Sequence, residues 1–431
     1  MSPTKAQPKG LYWLFMTETW ERFSFYAMRA LLVLYMTAVI EQGGLGWSNE
    51  YALKIYGYYL GFAYITPVLG GYMADAFLGQ RRSVLLGGLL MAAGHALMAV
   101  NDLTAFYSAL FLISLGNGFF KPNVTSILGG LYEPNDSRRD AGYAIFYMGI
   151  NLGGAFAGFV SGKLQQVYGF DAGFMAAAVA MVLGLIVFWW AQKSHYLGDV
   201  GSDAHIQQKK KEKQPLTAVE IDRIGVIFAL TLAVFFFVIA FEQAGGLLNL
   251  FANKWTDRNF LGVEIPAAYF QSLNPIFVVL MSPFVSMLWT RLGSKNPFMS
   301  TKVAIGLLLT AAGFVLLWAV TPCDVVDTEC GCHSVWLVPF NALVTAGEIC
   351  ILPVVWSAVS KLAPRQYASS LMALALFAIG AGGWVAGIVG SMVDDMGPAS
   401  IFSSIAIICV VMAALMVAVT PMLRQRTHGV E

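Results

Sequence analysis

Ionisable side chains are scarce in this chain. Asp, Glu, Lys and Arg make up 12% of its 431 residues, about half the share found in soluble proteins. That scarcity excludes an ordinary water-soluble fold. The formal net charge of +1 leaves no basic excess for nucleic acid. No stretch between the apolar runs is long enough to form a soluble catalytic domain. A phosphate-cradling GxxxxGK[ST] sequence is absent, so ATP is not expected as an energy source. HExxH, GxSxG and paired intramembrane aspartates are absent as well, which argues against a membrane-embedded enzyme. Cysteine is sparse at five residues. Three of them, Cys323, Cys330 and Cys332, cluster beside His333 in one predicted outer loop. A disulfide from Cys323 to Cys330 or Cys332, free thiols and a metal site are all open there.

What fills the chain is hydrophobic: 58% of its residues, with a mean hydropathy of +0.66. Twelve apolar spans are predicted, near residues 13–38, 52–75, 83–100, 104–130, 142–163, 172–192, 222–251, 266–290, 298–320, 334–361, 367–391 and 399–420. The expected fold class is an all-α membrane protein. Lys and Arg sort by segment, with eighteen in the alternate segments that include both ends and four (Lys54, Lys163, Lys254 and Arg258) in the others. Positive loops mark the cytoplasmic side, so both termini are predicted cytoplasmic in a multi-pass protein of the cell (inner) membrane. The first span is long and charged, and is read as retained rather than cleaved.

A polar stretch at 195–221, carrying Lys209, Lys210, Lys211 and Lys213, divides the spans six and six. The expected domains are an N-terminal six-helix bundle at 1–194, a solvated cytoplasmic linker at 195–221 and a C-terminal six-helix bundle at 222–431. Basic Leu-Gly turns recur after the second and eighth spans, at Leu78-Gly79-Gln80-Arg81-Arg82 and Arg291-Leu292-Gly293-Ser294-Lys295. Six plus six spans with such a turn resembles the major facilitator superfamily, whose fold binds substrate near the membrane midplane between two halves that rock.

The first span contains an energetic anomaly. Glu18, Glu21, Arg22 and Arg29 lie in a run whose flanks are wholly apolar. Each charge facing lipid would cost ~2.5–3.5 kcal/mol. On a helix, positions 18, 21, 22, 26 and 29 fall within an arc of about 140°. They share one face, and that face must look into protein or water. Lys121, Glu242 and Glu348 lie deep in later spans. The signs are segregated: Arg22, Arg29 and Lys121 against Glu18 and Glu21 in the first half, Glu242 and Glu348 alone in the second. A cleft with cations on one wall and carboxylates on the other suits a zwitterion with separated ends, such as a short peptide or an amino acid. The seven charges sum to −1, so one carboxylate is left as a natural proton carrier. Glu21 is expected to hold that proton in preference to Glu18. No cofactor is expected; the proton gradient supplies the drive.

The residues also carry a family likeness. Glu18-x-x-Glu21-Arg22-Phe23, Gly118-Phe119-Phe120-Lys121-Pro122-Asn123, Phe146-Tyr147-x-x-Ile150-Asn151-x-Gly153, Phe241-Glu242-Gln243, Asn274-Pro275, and Glu348 followed by Pro353 and Lys361-Leu362-Ala363-Pro364 are six ordered motifs in six spans. Together they resemble the proton-dependent oligopeptide transporter (POT/PTR) family of the major facilitator superfamily. The resemblance implies a proton-coupled symporter that imports di- and tripeptides by alternating access. It implies that Glu18, Glu21, Arg22 and Glu242 couple protons, that Arg29 and Lys121 receive the peptide carboxylate, and that Glu348 with Asn151 and Asn274 receives the amine. Tyr26, Tyr64 and Tyr147 would line the pocket. Arg29–Glu242 and Lys121–Glu348 would be pairs that strengthen or break as the cleft closes. The implied partners are the peptide, protons and the lipid bilayer, around a monomer.

The chain departs from the family pattern at Phe25, where a tyrosine is usual, and at Val238, Leu352 and Ala375, where a tryptophan, a serine and a tryptophan are common. A roomier, less aromatic pocket wall is expected from the last three. Gly57 falls where some relatives carry a histidine, so coupling is expected to work without it. His95 is read as a packing residue, and Gly149 and Gly153 as helix-packing contacts. The rival reading keeps the fold and changes the cargo to nitrate, a drug or an amino-acid-like compound. Glu348 has no evident use for an anion, and competition between dialanine and nitrate separates the two. A receptor or uncoupled channel is disfavoured by the paired charges.

Overall fold

Long apolar runs in a bilayer have no water to satisfy their backbone, so they close their hydrogen bonds as helices. The computed structural model follows that rule. It describes residues 6–133, 136, 138–202, 215–321, 332–364 and 367–430. Helices α1 (Lys9–Thr37), α2 (Asn49–Met73), α3 (Gln80–Met98), α4 (Leu103–Gly130), α5 (Arg139–Tyr168) and α6 (Phe170–Lys193) precede the polar stretch. Helices α7 (Ala218–Phe241), α8 (Leu247–Lys254), α9 (Leu273–Leu292), α10 (Met299–Val320), α11 (Leu337–Leu362), α12 (Ala368–Ser391) and α13 (Val393–Arg426) follow it. Extended structure is confined, among the described residues, to two-residue strands near 256–264 and at Cys332–His333.

Among the described residues, nine helical segments are long and apolar enough to cross a membrane. The helices α1, α2 and α3 are 29, 25 and 19 residues long. In α1 the charged face lowers the average hydropathy that its flanks would otherwise have. Local signals set the helix ends. Asp102 accepts from the Ala105 amide at 2.7 Å to start α4, and Thr217 with Glu220 forms a reciprocal capping box on α7. Gly397, at φ 73°, breaks the helical path inside α13.

The chain forms two compact units, Met1–Leu45 with Phe62–Gln208, and Gly46–Gly61 with Lys209–Glu431. In the first unit α1 packs on α5 and α6, and α3 packs on α4 and α6. The α1–α5 approach depends on Gly153: a Cβ there would lie 2.2 Å from the Thr19 carbonyl oxygen and 2.8 Å from the Phe23 nitrogen. About one turn earlier on α5, a Cβ on Gly149 would meet Phe15 and Thr19 at 2.9–3.0 Å, so both glycines are packing contacts. The start of the polar stretch is not wholly solvated. Arg81 donates to the carbonyls of Val200 at 2.7 Å and Leu197 at 3.2 Å, and Leu197 is buried in the core beside Leu128 and Phe188. The Lys209–Lys213 run lies outside the described residues.

In the second unit α10 packs on α11 and α13, and α12 packs on α7. The N-terminal portion of α2 belongs to this unit. Asp394 accepts from the Asn49 side chain at 2.6 Å and the Glu50 amide at 3.3 Å, and Lys254 donates to Asn49 at 2.7 Å. Further along the same helix, a Cβ on Gly57 would sit 2.8 Å from the Trp384 carbonyl oxygen and 2.9 Å from the Gly387 Cα. The histidine of some relatives therefore has no room here.

Candidate functional site

The first unit assembles one cluster from the α1 stripe. Glu18, Glu21 and Arg22 are 1%, 1% and 4% exposed. Gly149 and Gly153 of α5 and Gly184 of α6 bring those helices close against the same turns of α1. Arg22 grips Glu21 with two parallel hydrogen bonds, Nε to Oε2 and Nη2 to Oε1, the latter at 2.5 Å. Such bidentate charge-assisted pairs are the strong class of hydrogen bond. Glu18 gets less. Its Oε1 lies 3.4 Å from Arg22 Nε, and its Oε2 is buried with no hydrogen-bond partner among the described residues. The Lys121 ammonium on α4 acts electrostatically on Glu18, as Tyr26 does on Arg22. Five of the predicted site residues are thus gathered in one place: Glu18, Glu21, Arg22, Tyr26 and Lys121.

Phe25, the departure from the family pattern, also has a role. The Arg22 guanidinium carbon stands 5.0 Å from its ring centroid, a cation–π contact that a desolvated site strengthens. Arg29 is buried on the same helix, while Tyr64 is half-buried on α2 and Tyr147 exposed on α5. Asn151 is buried, and its amide donates to the Tyr147 carbonyl one turn back, at 3.0 Å. His95 is buried in α3 with its Nδ1 lacking a hydrogen-bond partner among the described residues.

The second unit gathers a different set. Glu348 on α11 and Asn274 on the first turn of α9 are both half-buried. Asn274 Nδ2 donates to Glu348 Oε2 at 2.7 Å and to Thr345 Oγ1 at 3.0 Å. Glu242 is buried where α7 gives way to a 3₁₀ turn at Glu242–Ala244. Its neighbour Gln243 ties that turn to α12 by donating to the Ala386 carbonyl at 3.0 Å. The break takes Glu242 off the regular α7 face, and this side-chain bond holds the turn in place.

Val238 and Ala375 do not widen a pocket wall. They are 2% and 1% exposed, and Val238 is a residue that a Cβ on Gly382 of α12 would meet at 3.0 Å. Both are buried, and Val238 is taken up by the close approach of α12, which corrects the expectation of a roomier wall there. Leu352 is partly exposed. In the outer loop Cys332 is a free, buried thiol, and burial pushes it up from the ordinary thiol range. Cys323 and Cys330 lie outside the described residues. Among the described residues no group of His, Cys, Asp or Glu could hold a metal ion.

Two participants are not evident as site residues in the sequence. Thr345 precedes Glu348 by three residues, a spacing that puts both on one helix face, so a signal is available for it. Gln243 follows Glu242 directly, and nothing local to the sequence shows that α12 accepts its hydrogen bond.

Known proteins align with the chain from end to end. The family model described as the POT family matches residues 81–219 and 198–405. A transporter of Bacillus subtilis (strain 168), YclF, is 32% identical, covering 99% of this chain and 96% of its own. The peptide transporter YePEPT of Yersinia enterocolitica is 33% identical, covering 96% and 94%. The crystal structure of a mutant of the peptide transporter POT in complex with alafosfalin superposes with a TM-score of 0.90 at 33% identity, covering 98% of this chain and 96% of that one. A family match over most of the sequence and relatives aligned along nearly their full length make this chain a member of the POT family, a family of transporters rather than enzymes.

Proposed function

We propose that this protein is a proton-coupled symporter that imports di- and tripeptides by alternating access. The observation that carries the reading is the buried Glu18–Glu21–Arg22 cluster, in which one carboxylate is fully engaged by the guanidinium and the other is not. A carboxylate that accepts two charge-assisted hydrogen bonds has both oxygens engaged. A buried carboxylate oxygen with no donor is where an added proton costs least and removes a desolvated charge. On this reading the coupled proton is carried by Glu18 in preference to Glu21, the carboxylate favoured from the sequence. Ion-pair chemistry at Glu21 and Arg22 then provides a fixed countercharge beside a site that loads and unloads.

The remaining roles follow family membership and side-chain chemistry. Arg29 and Lys121 receive the peptide carboxylate, and Glu348 with Asn274 and Asn151 receives the amine. Tyr26, Tyr64 and Tyr147 line the path, and Glu242 takes part in coupling. The relatives named as peptide transporters support this choice of cargo. The protein works as a monomer of twelve membrane-spanning helices, two six-helix bundles at 1–194 and 222–431 joined by the 195–221 linker. Both termini are cytoplasmic in the cell (inner) membrane.

The test is dialanine uptake into proteoliposomes under an imposed pH gradient, with nitrate as a competitor. Uptake is expected to follow the gradient and to ignore nitrate. Glu18→Gln should abolish gradient-driven accumulation and keep counterflow exchange. Full accumulation by that variant would remove Glu18 from the proton path.

A further inference from the structure

Asn274 is held by two acceptors, and together they decide what it offers a substrate. The atom 2.7 Å from the Glu348 carboxylate must be the amide nitrogen, because two acceptors would repel at that distance. The same nitrogen lies 3.0 Å from Thr345 Oγ1, so the threonine hydroxyl accepts. An amide nitrogen has two hydrogens, and here both are committed. With Glu348 as the one acceptor, either hydrogen could serve, and the amide plane would have two settings. The second acceptor selects one setting. In it, both hydrogens are directed at the two partners, and Oδ1 is the amide's remaining acceptor.

Thr345 is 0% exposed and cannot itself meet a solute. It lies one helical turn from Glu348 on α11, while Asn274 comes from α9, so the hydroxyl also locks one helix against the other at this point.

We infer that Thr345 is a positioning residue for substrate selectivity: by fixing the Asn274 amide it presents a carbonyl oxygen beside the Glu348 carboxylate, a pair of acceptors matched to a protonated amine. An ammonium has three hydrogens to donate and no lone pair. It satisfies both acceptors at once. An N-acylated peptide offers one amide hydrogen and no charge, so it leaves one acceptor unmet inside a partly desolvated site, which costs affinity. This rests on the reading of Glu348 as the receiver of the peptide amine.

The experiment compares Vmax/KM for dialanine and N-acetyl-dialanine in proteoliposomes of the full chain, for the unaltered protein, Thr345→Val and Thr345→Ser. The valine keeps the shape and removes the hydroxyl; the serine restores it. The unaltered protein should prefer the free amine strongly. Thr345→Val should lose about tenfold of that preference, the effect of one well-placed hydrogen bond to a charged group, through a higher KM for dialanine at similar maximal rate. Thr345→Ser should restore it. Should the valine protein fail to insert, Thr345→Ala removes the same hydroxyl and is read the same way. An unchanged preference in a folded variant without the hydroxyl overturns the role of Thr345 while leaving Glu348 as the amine receiver. No preference for the free amine in the unaltered protein overturns both.

Discussion

Buried carboxylates are handled in two ways in this molecule. In the first unit, Glu21 is gripped by Arg22, a full cation from the same helix, and the pair is almost wholly out of solvent. In the second, Glu348 takes a hydrogen bond from Asn274, a neutral amide from another helix, and stays half-exposed. The first arrangement neutralises the charge on the spot. It leaves Glu18 Oε2 beside the pair, buried and without a hydrogen-bond partner among the described residues. The second orients the carboxylate through a neutral neighbour on a different helix. The difference teaches that two carboxylates in one membrane protein can be held by unlike means, an ionic grip within a helix for Glu21 and a neutral amide from a second helix for the half-exposed Glu348.

The comparison breaks most readily at Arg22. Arg22→Gln would leave Glu18 and Glu21 buried without their guanidinium, and removing one member of a buried pair costs ~3–5 kcal/mol. A large drop in the thermal midpoint in detergent is expected, with recovery of much of it on adding Glu21→Gln. An Arg22→Gln protein as stable as the unaltered one would show that the pair does not carry the cluster. Glu348→Gln should behave differently. The amide from Asn274 still finds an oxygen, so stability should change by about 1 kcal/mol or less, while KM for dialanine rises about tenfold or more as the charge is lost. A stability loss that rivalled Arg22→Gln would erase the distinction between the two sites. The finest test is Phe25→Leu. It removes the ring under Arg22 and should cost about 0.5–1 kcal/mol, seen as a small fall in the same midpoint with gradient-driven uptake intact. Collapse of uptake would mean that the ring sets the guanidinium's position and is more than a supporting contact.

Much of the α1 cluster could be read from spacing, and its internal pairing could not. Positions 18, 21 and 22 share a face by helical geometry, which is why the sequence demanded a protein interior or water there. The spacing rule for helices favours Glu18 with Arg22, four residues apart, over the adjacent Glu21. The observed preference is the reverse, with the tight bidentate bond to Glu21 and the 3.4 Å approach to Glu18. That choice lies in side-chain conformation, which sequence spacing does not encode. Val238 and Ala375 teach the same thing from the other direction. Their small size was visible; that both are buried, with α12 pressed against Val238, was not.

Helix location, the inward-facing charged stripe and the family motifs are local properties. They follow from run length and from the cost of an unsatisfied backbone or an exposed charge in lipid, and each was plain in the amino-acid order. The bond from Asn274 to Thr345 spans 71 positions and that to Glu348 spans 74. The Gly57–Gly387 approach spans most of the chain. Contacts of that kind depend on which helix faces meet and at what height, and packing in three dimensions fixes both. That is why the two carboxylate environments emerge with the folded helices.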